Sequence, residues 1–137
     1  MSGIQRDQLR VKSTGEVFTP TPLVQEVLDQ LDPNLFKDIE KTFLDPTCGD
    51  GQFLSEVLIR KLENVAVNGV VSEQQFEKAL STIYGWELMP DNVQLCRDRL
   101  LCGQIQFQHI VEENIIQCDS LNHNPVLHNL KIKELDN

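Results

Sequence analysis

Asp45-Pro46-Thr47-Cys48-Gly49-Asp50-Gly51-Gln52-Phe53-Leu54 is the stretch whose reading decides the fold. The residues that lead into it, Lys41-Thr42-Phe43-Leu44-Asp45, read as a short buried strand. Downstream, Phe53, Leu54, Val57, Leu58 and Leu62 recur at the spacing of one helical face. The ten residues are therefore a strand-to-helix turn. Gly49 and Gly51 let its backbone turn sharply and approach a ligand without interference from a Cβ, and the N-terminus of the following helix favours an anionic group. In an open parallel sheet, a turn of this kind comes closest to a nucleotide-type ligand.

The same alternation continues on both sides. Upstream, Thr21 suits an N-cap and Pro22 a first helical residue; Leu23, Val24, Val27, Leu28 and Leu31 then form one apolar stripe, ended by Asp32-Pro33-Asn34. Downstream, 64–71 reads as a connection. Ser72 caps a helix over 73–80 that turns Phe76 and Leu80 inward, and 81–87 reads as a strand. Pro90-Asp91-Asn92 opens a helix that runs to Leu101, buries Val93, Leu100 and either Leu95 or Cys96, and is closed by Gly103. A third strand is expected over 114–119. Strands alternating with helices predict a layered α/β fold with a parallel sheet and right-handed crossovers.

Length and composition limit what this fold can be. The 137 residues suffice for one domain, 1–137, with an arm at 1–14 and an irregular tail at 122–137. With 40% hydrophobic and 24% charged residues, the chain is expected to fold rather than stay disordered. Without an apolar run long enough to span a bilayer or an apolar leader, it is expected to work in the cytoplasm and not at a membrane. Cys48, Cys96, Cys102 and Cys118 form no CxxC pair and have no histidine at ligand spacing, so they read as space-filling residues, with no metal site. A net charge of −9 gives little support to direct DNA contact. The small basic clusters Arg6 to Lys12, Arg60-Lys61 and Arg97 to Arg99 read as solvated helix faces.

Three acids fall at three successive strand ends: Asp45, Glu87 and Asp119. One acid in such a place is more often a helix cap than a ligand. Three of them, with glycines after the first, point instead to a shared polar site. Glu87, acceptor-only when ionised, suits the two hydroxyls of a ribose.

With these residues in hand, the chain resembles the N-terminal, cofactor-binding part of adenine-specific N6 DNA methyltransferases of the restriction-modification and phage type. Gly15-Glu16-Val17-Phe18-Thr19-Pro20 resembles the upstream motif of that family, which implies that Phe18, Thr19 and Pro20 fold over the methionine end of S-adenosylmethionine. The stretch from Asp45 to Leu54 resembles the DPxxGxGxFL motif, implying cofactor contacts from Asp45, Thr47, Cys48, Gly49, Gly51 and Phe53. Gly85-Trp86-Glu87-Leu88-Met89-Pro90 is similar to the segment that supplies the ribose-binding acid, here Glu87, and an apolar adenine contact, here Leu88. Ile116-Gln117-Cys118-Asp119-Ser120-Leu121 is similar to the strand whose acid meets the adenine amine, so Asp119 and Ser120 complete the set. The fold implied is a Rossmann-like methyltransferase sheet reduced to its first half.

The same comparison leaves a gap. The family's Asn/Asp-Pro-Pro-Tyr/Phe motif, which holds the target amine and stacks on the flipped base, has no counterpart. Asn124-Pro125-Val126-Leu127 lacks both the second proline and the aromatic and reads as a turn, so no catalytic residue is assigned. Within these residues the edge of the first strand has no further strand to cover it. The tail 122–137 or another chain is expected there, as a homodimer or a heteromer with a catalytic methyltransferase subunit. The function expected is cofactor binding within DNA adenine methylation; the alternative is an inactive, phage-type cofactor-binding or decoy protein.

Overall fold

The computed structural model of the chain describes residues 3–5 and 22–119. In chain order these form β1 (Gly3–Gln5), α1 (Pro22–Asp29), α2 (Asn34–Lys37), β2 (Phe43–Asp45), α3 (Gln52–Val65), β3 (Val70–Ser72), α4 (Glu73–Leu80), β4 (Ile83–Glu87), α5 (Pro90–Leu101), a 3-10 turn (Ile105–Phe107), α6 (Gln108–Asn114) and β5 (Ile115–Gln117). The fold is mixed α/β. Its main sheet is parallel, in the order β2-β4-β5, with helices flanking it.

The register of this sheet positions the candidate site. Phe43 pairs with Ile83 and Asp45 with Gly85, so β4 runs two residues past the end of β2; Glu87 then pairs with Gln117 of β5. The loop after Asp45 can therefore continue onto backbone and side-chain groups at the protruding tip of β4. Among the described residues β2 is an edge strand, and its Leu44 is 38% exposed.

Helix α3 packs against α1, α2, α4 and α5 and against the sheet. Contact on several sides explains why Leu54, Ser55, Glu56, Val57, Leu58, Ile59, Lys61 and Leu62 are all buried, far more than one apolar stripe. Helix α4 begins with a full capping box: Ser72 Oγ accepts from the Gln75 N–H at 3.2 Å, and Gln75 Oε1 accepts from the Ser72 N–H at 3.3 Å. Phe76 and Leu80 face the core. Helix α5 buries Cys96 and leaves Leu95 half-exposed, and it ends with Cys102 and Gly103 both at positive φ.

Several expectations are corrected. The α1 stripe is narrower than its sequence suggests: Val24 and Leu28 are buried, whereas Leu23, Val27 and Leu31 are 63%, 39% and 38% exposed. The segment 64–71 is not a plain connection. Helix α3 continues to Val65, and Asn68-Gly69, both at positive φ, make a two-residue hairpin turn closed by paired hydrogen bonds between Val67 and Val70. The resulting β3 pairs antiparallel with β1, so part of the expected 1–14 arm is strand. The helices α2 and α6 were not expected. In α6 and the turn before it, Phe107, Ile110 and Val111 are buried at a three-four spacing. Thr21 and the tail 122–137 lie outside the described residues.

The basic residues on α3 are structural rather than solvated. Arg60 Nε bonds Glu56 Oε2 at 3.2 Å, its Nη2 reaches Asp29 Oδ1 at 2.8 Å, and its guanidinium lies 5.5 Å over the Phe36 ring. Lys61 is fully buried. Its Nζ donates to the carbonyls of Ile39 (3.3 Å) and Lys41 and to Thr82 Oγ1 (2.6 Å), and lies 5.1 Å from the Phe43 ring centre. The ammonium thus ties α3 to the start of the sheet. Among the described residues no helix is long and apolar enough to cross a membrane.

Burial pushes the Lys61 pKa down from 10.5 to about 8, opposed by the nearby Asp38 carboxylate. Between those two values the unfolded chain binds the extra proton, so stability rises with pH across that window. The stability of the wild type relative to Lys61→Met should therefore increase from pH 8 towards pH 10.5, by roughly 3 kcal/mol when complete. Urea unfolding of both proteins at several pH values measures this, and comparing the two cancels the cysteine titrations. A difference that stays flat would contradict the account.

Candidate cofactor-binding site

Five hydrogen bonds hold the loop between Asp45 and Gln52. Asp45 Oδ1 accepts from the Thr47 N–H at 3.0 Å and starts the turn. The Cys48 N–H donates to the Trp86 carbonyl at 2.9 Å, extending the β2-β4 pairing past the end of β2. The Gly49 N–H donates to Glu87 Oε1 at 3.0 Å. Arg99 of α5 holds the next residue: its Nε donates to the Asp50 carbonyl at 2.9 Å and its Nη2 to Asp50 Oδ2 at 3.2 Å.

The two glycines have different reasons to be glycine. Gly51, the N-cap of α3, has φ +93°, and a Cβ there would sit 2.8 Å from Cys96 Sγ and 3.1 Å from Cys96 Cα. It is required for close packing of the loop on α5. Gly49, at φ +56°, has no atom of another described residue, apart from its chain neighbours, within 4 Å of a would-be Cβ. Among the described residues the space beside it is open. A third glycine, Gly85 of β4, lets Cys48 and Leu54 close over the strand, since a Cβ there would meet Cys48 Sγ at 2.8 Å and Leu54 Cδ1 at 2.9 Å.

Glu87 organises the strand tips. Its Oε1 takes the Gly49 N–H and its Oε2 the Met89 N–H, the latter also at 3.0 Å. A carboxylate offers about four lone-pair positions, so these two described donors use roughly half of its accepting capacity. The Glu87 carbonyl accepts from the Cys118 N–H at 3.0 Å, which brings the end of β5 alongside. Leu88 and Met89 follow, 56% and 51% exposed, and Gln117 Nε2 donates to the Leu88 carbonyl at 3.1 Å.

Of the residues singled out in the sequence, Asp45, Thr47, Cys48, Gly49, Gly51 and Glu87 belong to one connected loop-and-strand-end arrangement. Leu88 lies next to it. Asp119 stands two residues beyond the end of β5, half-buried. Phe53 is half-buried and packs on the core. Phe18, Thr19, Pro20 and Ser120, together with Asn124-Pro125, lie outside the described residues. Arg99 and Gly85 carry no signal as members of a site when read one residue at a time. Arg99 lies 49 positions beyond the loop in sequence, and its partnership with Asp50 appears only once α5 is packed.

Two cysteines near the loop are shifted towards the thiol form. Cys96 is held far above the usual thiol range by its hydrogen bond with Cys48, then by burial, then by the Cys48, Asp45 and Asp50 charges. Cys118 is raised by burial, Asp119 and Cys48. Neither is poised as a nucleophile. Among the described residues no group of three His, Cys, Asp or Glu side chains could hold a metal ion. A hollow of roughly 460 Å³ lies elsewhere, between α1, α2 and α3, lined by Phe36, Arg60 and Asn64 among others.

Parallel strands, a glycine loop entering a helix and an acid at the tip of the neighbouring strand define a mixed α/β fold whose strand tips are the place where open parallel sheets commonly take a ligand. The family model for N-6 DNA methylase matches residues 7–134, nearly the whole chain. The chain belongs to that family, whose members use S-adenosylmethionine, and is a DNA N6-methyltransferase-related protein. Comparisons with curated proteins and with solved structures found no match.

The glycine geometries give a ranking. Gly51→Ala, which forces a left-handed φ and a clash with Cys96, should cost roughly 3 kcal/mol. Gly49→Ala, with the space free, should cost about 1 kcal/mol. Urea unfolding of both variants tests the order, and equal costs would count against the packing described for Gly51.

Proposed function

We propose that this chain binds S-adenosylmethionine at the tips of β2, β4 and β5 and acts in adenine-N6 methylation of DNA. The observation that carries the reading is the Gly49–Glu87 contact: a backbone loop with open space beside it among the described residues is held at hydrogen-bond distance from a carboxylate whose two described donors use roughly half of its accepting capacity. That arrangement fits a ligand carrying an amino-acid end and a ribose. Gly49, Gly51, Thr47 and Cys48 would line the methionine end, with Phe18, Thr19 and Pro20 over it. Glu87 would accept the ribose hydroxyls while keeping its two backbone donors. Leu88 would cover the adenine face, and Asp119 with Ser120 would meet its amine. Asp45 and Phe53 shape the loop. The bound group would supply an electrophilic methyl on a sulfonium. The chain's own contribution is to position it, which is what in-line transfer chiefly needs.

In this proposal the Asn/Asp-Pro-Pro-Tyr/Phe motif is supplied from outside residues 1–137, and β2, an edge strand among the described residues, supports association with a second copy or a catalytic subunit. The second reading, a cofactor-binding or decoy protein without transfer activity, is favoured by the net charge of −9, which opposes DNA.

Isothermal titration with S-adenosylmethionine should show saturable binding, and Glu87→Ala should weaken it at least about tenfold, the effect of losing one charge-assisted contact. No heat at millimolar ligand would sink the proposal. Methyl transfer to DNA by the purified chain, alone and with a candidate partner, separates the two readings.

A further inference from the structure

We infer that Arg99 is a positioning residue for cofactor binding: from α5 it holds Asp50 so that the loop between the two left-handed glycines keeps one shape. The inference rests on the reading of that loop as the methionine-end cradle.

Three observations support it. First, the amides of Thr47, Cys48, Gly49 and Gly51 donate to Asp45 Oδ1, the Trp86 carbonyl, Glu87 Oε1 and the Cys48 carbonyl, all within the loop or to β4. The Asp50 carbonyl is instead taken up by Arg99 Nε at 2.9 Å, and the Asp50 carboxylate by Arg99 Nη2 at 3.2 Å. Second, Asp50 stands between Gly49 at φ +56° and Gly51 at φ +93°. Glycine has the widest choice of backbone conformations, so the peptide groups around Asp50 have alternatives that a side-chain clamp removes. Third, the Asp50 carboxylate would repel the carboxylate of an amino-acid ligand, and the guanidinium, 12% exposed, neutralises it where it stands.

The chemistry calls for arginine. A guanidinium fork reaches a carbonyl and a carboxylate together, whereas an ammonium is a single point charge on a flexible stem. Since partly exposed ion pairs contribute little to global stability, the clamp should show in the order of the loop and in affinity more than in melting temperature.

The test uses the full chain as wild type, Arg99→Ala and Arg99→Lys, with two readouts: the Kd for S-adenosylmethionine by calorimetry, and amide hydrogen exchange at Gly49 and Gly51 by NMR. The expected result is a Kd about tenfold higher in Arg99→Ala and about threefold higher in Arg99→Lys, with protection at both amides reduced in the same order. Arg99→Lys also serves as the judged variant if Arg99→Ala does not fold. Unchanged Kd and unchanged exchange, or a lowered melting temperature with unchanged Kd, overturns the role. A wild type that binds no S-adenosylmethionine overturns the cofactor reading itself; the exchange rates then still decide whether Arg99 orders the loop.

Discussion

The carboxylate of Glu87 is the hub of the strand tips. It accepts one N–H from the glycine loop and one from the start of the next connection, while its own carbonyl takes an N–H from the end of β5. Without it, the Gly49 amide would have to find another acceptor at the top of the sheet, and the loop would lose its link to the β4 tip. The two-residue overhang of β4 beyond β2 makes this possible: β5 pairs with Trp86 and Glu87 on one side, and on the β2 side the loop takes the place of the strand, with the Cys48 N–H on the Trp86 carbonyl. Loop shape and, in the proposed site, ligand-facing chemistry therefore depend on the same side chain.

Beneath that tip the packing is close enough to fix residue identity. Gly85 admits Cys48 and Leu54, and Gly51 admits Cys96, each at a distance a Cβ would violate. At the opposite end of the sheet, Lys61 joins α3 to Ile39, Lys41 and Thr82. The helix after the loop is thus held at both ends: by the glycine contacts at its start, and by a buried ammonium further along. Such a frame costs desolvation at Lys61 and in return leaves the loop little room to shift.

Much of this was legible in the sequence, and the reasons for what was not are physical. The strand, glycine turn and helix from Phe43 to Leu62 followed from apolar spacing, the Ser72 cap from its chemistry, and α5 from Pro90 and Gly103. The Asn68-Gly69 hairpin carries a recognisable turn signal, but the strands it joins are too short for an alternating pattern to mark them. Phe107, Ile110 and Val111 carried a helical spacing too short to stand out. Lys61, Arg60, Arg97 and Arg99 could not be read correctly from charge alone, since a basic residue on a helix is normally solvated. Arg97 instead donates to the Ile115 and Glu112 carbonyls, joining α5 to the start of β5. Glu87 was legible as an acid at a strand end, but its hold on Gly49 spans 38 positions and needs the parallel register to appear.

The most direct test of the central claim, that the loop and the β4 tip together form the cofactor site, is an NMR titration of the labelled chain with S-adenosylmethionine. The account predicts that the amides of Gly49, Gly51, Glu87, Leu88 and Asp119 shift together and saturate with one affinity, while Phe36, Arg60 and Asn64 around the hollow stay in place. Shifts confined to that hollow, or none at the strand tips at saturating ligand, would contradict it.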